Sequence, residues 1–317
     1  AKKTLYQQNA AQYYDQGHFE RAYQQWDSVL ALDPQDDKAQ LGQGMALYQL
    51  GRQESPQAVE RLAMAEERLA KLRRQHLEGL SWQAELGYAL VQERWVELYD
   101  RKVRQLEARS PRTKADDAEL VTARTELGRR LDMAEAGFDH VLTSGQREAQ
   151  YQLTCILGMS RIAAMRGDLE ESLRRARQYE EKVNNSKRLW NEAKERFPRE
   201  APLYEIKLQR AERQEAELRD LMGNVLFKLD RLEEAEKELD AVLDLAPTRE
   251  SAYLNRGIVR QALQRWDHAR SDLQTFLDIT KLAADDPSVV EAARRLAEVE
   301  QKLAEEDEAL RRAATRS

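Results

Sequence analysis

Apolar positions in this chain recur with the period of a helix and not of a strand. Ala22, Trp26 and Val29 stand four and three residues apart, as do Ala235, Leu239 and Val242, so each set lies on one helix face. Twelve residues before each set is a small residue, Ala10 or Gly223. The later set then returns as Gly257, Ala269, Leu273 and Phe276, each 34 residues beyond its counterpart. A fixed interval of that length predicts a stacked array of two-helix units, each burying its apolar face against its neighbours. Function is then expected on a binding surface and not in a catalytic pocket.

Each unit is read as two antiparallel helices, with the small residue on the first letting the second approach closely. Ser160, Ser172, Ala176 and Tyr179 fit the template with smaller residues, and Ala134, Phe138 and Val141 fit its second half. Gly44, Ala58, Leu62 and Ala65 fit with two extra residues in the turn, and the stretch around Gly87 and Leu98 is a degenerate copy. Gly17 and its equivalents Gly51 and Gly167 are expected to end first helices in the left-handed conformation. Asp33 with Pro34, and Ala246 with Pro247, end second helices.

The repeats so placed span about 3–36, 37–72, 77–109 and 115–144, with a fifth from near 147. From Ser172 to Ala235 the interval is 63 residues, more than one period, so extra material sits there. Neither 169–197 nor the stretch that follows Pro202 as far as Leu229 contains a breaker other than Gly223, which predicts two helices of about 28 residues, each roughly 40 Å long. Phe197 to Pro202 is their only turn. The expected product is a long hairpin in which Val183, Leu189, Trp190, Ala193 and Phe197 face Leu203, Ile206, Leu208 and Ala211. A final helix starts at Asp285-Asp286-Pro287 and carries Val289, Val290, Ala293, Leu296, Val299 and Leu303 as a stripe that caps the array. From Glu305 to Ser317 the stripe fades into a frayed tail. The expected organisation is a solenoid of about seven helix pairs over 1–282, the hairpin occupying about 170–229, followed by a capping helix and tail over 283–317.

At Tyr6 to Pro34, Leu218 to Pro247 and Tyr253 to Leu277, with signatures such as Gly17-His18-Phe19-Glu20-Arg21-Ala22, the chain resembles the tetratricopeptide repeat family. The resemblance implies an all-α, right-handed α-solenoid whose first helices line a concave groove for extended or helical peptides. Carried over by alignment, that groove offers Gln7, Ala11 and Tyr14, then Leu41, Met45 and Tyr48. It continues with Asp220, Asn224, Phe227 and Lys228, then Asn255, Ile258 and Gln261. Asn224 and Asn255 match two asparagines with which many such domains hold a peptide backbone or terminal carboxylate. The competing expectation is that both amides bond only neighbouring side chains. Asp220 stands where the family's lysine is expected and the following helix has no cationic pair, so the chain departs from the clamp that holds chaperone tails. Arg256 and Arg260 stand where the family packs apolar groups, and Arg256 is placed to reach Asp272 on the paired helix.

Composition narrows the function classes. With 41% apolar and 34% charged residues the chain suits a thin helical array. All seven prolines fall at expected helix boundaries. A net charge of -6 argues against a phosphate-driven nucleic-acid role. Basic runs such as 101–104 and 109–114 have acidic neighbours and read as solvated helix faces. No apolar run approaches the ~20 residues of a membrane-spanning helix.

His18, His76, His140 and His268 have no metal-ligand spacing, and the lone Cys155 reads as a small core residue. No phosphate-cradling glycine loop or zinc signature is present. No catalytic residue, metal or cofactor is therefore expected, and the chain reads as a non-enzymatic scaffold or adaptor for a protein or peptide partner. The alternative is a structural component that docks or self-associates, as a homo-oligomer, through its hairpin or terminal helix. The first residue is Ala and not Met, as a cleaved export signal, a lipidated cysteine upstream or a trimmed chain would leave. Because many family members are exported, a bacterial envelope location is expected, as a periplasmic protein or lipoprotein, with the cytoplasm as the alternative.

Overall fold

The computed structural model describes residues 2–53, 55–75, 80–144 and 149–314, and every regular element among them is helical. It divides into two compact units, Ala1–Ile162 and Ala163–Ser317.

The first unit contains α1 (Lys2–Asp15), α2 (Phe19–Leu32), α3 (Asp37–Gly51), α4 (Ala58–Arg74), α5 (Ser81–Ala108), α6 (Lys114–Thr143) and most of α7 (Ala149–Arg166). Lys3 at the start of α1 pairs with Asp33 just beyond α2 at 2.6 Å, which fixes the two helices as antiparallel. Between them Ala10, Trp26 and Val29 are buried in one cluster with Ala39 of α3. Asp36 starts α3 by accepting the Ala39 N–H at 2.8 Å, satisfying a donor that the helix leaves open.

Two long helices stand where four short ones were expected in 77–144. No proline interrupts Ser81–Ala108, and Gly87 is absorbed into the helix, so the turn needed to make a degenerate repeat never forms. Leu86, Ala89 and Val96 of α5 meet Leu131, Ala134 and Phe138 of α6, and farther along Val103 and Leu106 meet Leu120 and Ala123. Gly51 is also not a left-handed cap: it is the last residue of α3, and helical backbone continues into Arg52. The register of α3 on α4 differs too. A Cβ on Gly44 would stand 3.0 Å from Leu69, and Gly51 is the residue that meets Leu62. His76 and Gly79 lie outside the described residues.

The second unit contains α8 (Leu169–Arg196), a single 3₁₀ turn (Pro198–Glu200), α9 (Ala201–Lys228), α10 (Leu232–Leu245), α11 (Glu250–Ala262), α12 (Trp266–Ile279) and α13 (Pro287–Ala314). Helices α8 and α9 are the expected hairpin, each 28 residues long. Lys187 bonds Glu215 at 3.0 Å and Lys194 pairs with Glu205, so the two helices run antiparallel. Its apolar contents do not all close on each other. Val183, Leu208 and Ala211 are buried, whereas Leu189, Phe197, Leu203 and Ile206 are 45 to 61% exposed. Two helices alone bury one stripe each, and these four side chains lie outside that seam.

The 34-residue interval is realised as a repeated crossing. A Cβ on Gly223 would come within 2.7 Å of Leu239, and one on Gly257 within 2.9 Å of Leu273. The same device joins adjacent pairs in the first unit, where Trp26 covers Gly42 and Phe138 covers Gly158. Gly17 (φ 77°) and Gly167 (φ 83°) take the left-handed cap, as expected. Asp230 and Gln264 occupy it in the second unit at φ 59°. Each turn closes with an N–H reaching five residues back, as from His18 to Tyr13 (2.8 Å) and from Arg265 to Arg260 (2.8 Å).

Helix α13 covers α12, with Ala292 and Val299 buried against Ala269, Leu273 and Phe276. The covering stripe is Val289, Ala292, Leu296, Val299 and Leu303; Val290 and Ala293 face out instead. The helix continues to Ala314, past the point where fraying was expected.

Candidate functional site

Helices α9 and α11 carry the expected groove residues of the second unit. Asp220 is their polar centre. Buried in the last third of α9, its carboxylate accepts hydrogen bonds from Arg249 Nε (2.9 Å), Ser251 Oγ (3.0 Å) and Asn255 Nδ2 (2.9 Å). Asn224, one turn on, donates to the Asp220 carbonyl at 2.8 Å. Both expected peptide-holding amides are thus engaged by Asp220, which stands where the family pattern has a lysine. Asn255 bonds a neighbouring side chain, whereas the short bond of Asn224 is to a backbone carbonyl, with a longer contact of 3.4 Å to the Asp220 carboxylate.

Next to this centre lies an open cleft of about 400 Å³. Phe227, Ile258, Ala262 and Trp266 give it an apolar floor, and Gln261, Arg295, Glu298, Gln301 and Lys302 give it polar walls. Gln261 is tied to α13 from both ends of its amide, donating to Glu298 (3.1 Å) and accepting from Arg295 (2.8 Å). The Trp266 indole donates to Glu306 at 2.9 Å. Lys228, at the end of α9, is exposed.

Arg256 and Arg260 of α11 hold an ionic lattice with α10 and α12. Arg256 forks onto Asp272 with bonds of 2.9 and 2.7 Å and reaches Asp240 at 2.7 Å. Arg260 joins Asp272 (2.7 Å) and Glu236 (2.8 Å). The expected contact of Arg256 with Asp272 is therefore present. Burial works against the Arg256 charge, but its bonds to Asp272 and Asp240 outweigh that and raise its pKa. The two arginines take positions where apolar groups are usual because Asp272, 3% exposed, supplies a matched partner for both.

The groove residues of the first unit are placed differently. Tyr48 is buried, and half-buried Leu41 and Met45 pack with it around Leu62, Ala65 and Leu69. Burial raises the Tyr48 phenol pKa. Tyr14 sets its ring edge on Phe19 at 5.3 Å and takes a bond from Gln49 at 3.3 Å. Gln7 donates to Asp36 at 2.9 Å. These residues serve the packing between helices.

Sequence reasoning missed Trp266 and the α13 wall. A signal was present: Arg295, Glu298 and Lys302 follow at three and four residues and form one polar row beside the apolar stripe. Of the other candidate groups, Cys155 is fully buried and its thiol is pushed up to about 12 by burial, while His18, His140 and His268 are exposed. Among the described residues no group of three His, Cys, Asp or Glu is placed to hold a metal, and no helix is long and apolar enough to cross a membrane.

No protein-family model and no curated protein matches this chain. Among solved structures it is similar to YrrB, a TPR protein with an unusual peptide-binding site, at 13% identity over 85% of this chain and 97% of that one, with a TM-score of 0.44. It is also similar to a tetratricopeptide repeat protein of Parabacteroides merdae (12% identity, 93% and 99% covered, TM-score 0.42). A third is the TPR2AB domain of yeast Sti1, solved in complex with pHSP90 (14%, 94% and 98%, 0.32). Identities and scores this low leave the interpretation to the chain's own residues.

Proposed function

We infer that this chain, a tetratricopeptide-type helical repeat protein by its 34-residue crossings, is a non-enzymatic scaffold that holds a peptide or protein segment. The observation that carries the reading is the cleft between α9, α11 and α13, where Phe227, Ile258 and Gln261 of the expected groove come together with Trp266. Its volume is that of a small ligand pocket, and an apolar floor with polar walls suits one or two apolar side chains of a peptide whose backbone meets polar groups at the rim. Asn255 supports this face indirectly, by fixing α11 to α9 through Asp220.

Selection of binders from a random peptide library tests it. Peptides selected on the natural chain should lose binding to an Ala262→Trp variant, whose indole fills the cleft from an exposed position, while helicity and Tm stay unchanged. Selected peptides that bind the variant equally well would refute the cleft.

A second reading, docking or assembly through the hairpin, is favoured by one specific observation. Leu189 of α8, Phe197 at its C-terminal cap, and Leu203 and Ile206 of α9 are exposed, so the hairpin does not satisfy its own apolar groups.

A further inference from the structure

Deepening the second reading, and resting on the hairpin being a docking surface, we propose that the hairpin of one molecule docks on the connection between α12 and α13 of a second copy, head to tail. Two separate patches of the second unit complement each other. The first is the distal hairpin, with four apolar side chains 45 to 61% exposed. On α9 the exposed row Leu203, Ile206, Arg210 and Arg213 advances by three and four residues, so the apolar stripe runs directly into cationic positions. Residues 187–213 carry eight Lys or Arg against five Glu, in a chain that is acidic overall.

The second patch lies where α12 ends and α13 begins. Ile279, Leu282 and Val290 are 37 to 53% exposed there. Residues 278–290 hold three acidic side chains against the single Lys281, and Glu291 beyond them is paired with Arg294 and Arg295. The two patches contain seven of the nine large apolar side chains that are exposed among the described residues of the second unit.

Charge selects the pairing. Hairpin on hairpin would set one cationic surface against another, and like charges facing each other oppose association. Hairpin on the α12–α13 connection joins opposite signs and covers both sets of apolar groups. A contact between two different patches is heterologous, so a joined pair keeps one free patch of each kind and assembly continues as a chain or closes as a ring.

Sedimentation of the whole chain at sub-millimolar concentration tests the proposal, with two surface variants. One is Leu203→Ser with Ile206→Ser; the other is Leu282→Ser with Val290→Ser. The natural chain should assemble beyond a dimer, and high salt should weaken the assembly through screening. Each variant alone should be monomeric with unchanged helicity. Mixed in equal amounts they should form a dimer that grows no further, since only one intact pair of patches remains. A monomeric natural chain, a variant that assembles alone, or a mixture that stays monomeric would each overturn the proposal. Fluorescence of 1-anilinonaphthalene-8-sulfonate, an anionic apolar probe, separates this failure from that of the hairpin reading. Equal probe binding by a monomeric natural chain and the Leu203→Ser, Ile206→Ser variant would show that the hairpin is not a docking surface at all.

Discussion

Gly223 lies against Leu239 so closely that a Cβ on residue 223 would stand 2.7 Å from the leucine Cγ. Thirty-four residues later Gly257 repeats the relation with Leu273. The repeat interval in the sequence is therefore the distance between two equivalent helix crossings. Gly223→Ala should overpack the α9–α10 crossing and cost about 1–3 kcal/mol, and Ala235→Leu, at a fully buried position on α10, should cost a similar amount. Chemical denaturation of the two variants checks this; midpoints equal to that of the natural chain would mean that the crossing tolerates a methyl group.

Gln264 adopts φ 59° at the end of α11, where an L side chain is crowded by the following carbonyl. Gln264→Gly should raise Tm, because the relieved strain of about 1–2 kcal/mol exceeds the entropy that glycine adds to the unfolded chain. Gly17→Ala, at φ 77°, should lower it. Thermal unfolding followed by circular dichroism reads both signs.

Asp272 is the shared acceptor of Arg256 and Arg260. Asp272→Ala should destabilise by about 3 kcal/mol, since two guanidinium groups lose a buried partner. Adding Arg256→Leu should recover part of the loss by removing one of the stranded charges, a non-additivity that a double-mutant cycle measures directly. Purely additive losses would show that the lattice is not coupled.

The Cys155 thiol, buried and pushed up to about 12 by its surroundings, should resist alkylation at neutral pH until the chain unfolds. Labelling with iodoacetamide across a urea series should follow the loss of helicity. Prompt labelling of the folded chain would place the residue at a surface.

What the sequence made legible follows from what repeats. The spacing of Gly223, Ala235, Leu239 and Val242 identified the helix faces because small and large residues must alternate at each crossing, and the prolines marked the hairpin ends because proline cannot continue a helix. Residues 81–143 were misread because a degenerate repeat and an uninterrupted helix have the same 3.6-residue period; only a turn distinguishes them, and none occurs within Ser81–Ala108. Leu189 and Ile206 were assigned to the hairpin seam because apolar residues on neighbouring faces look alike in one dimension. The bonds of Asn224 and Asn255 to Asp220 depend on a charge reversal at 220 whose consequence is spatial. The cleft needed α13, whose position against α11 no repeat spacing encodes.

The scaffold reading is tested most directly by hydrogen exchange of the chain with and without a peptide selected on it. Binding in the cleft should slow exchange at 224–228, 255–262 and 295–302, the segments that line it, and leave 189–206 unchanged. Protection confined to 189–206, or to the first unit, would contradict the assignment of the binding face to α9, α11 and α13.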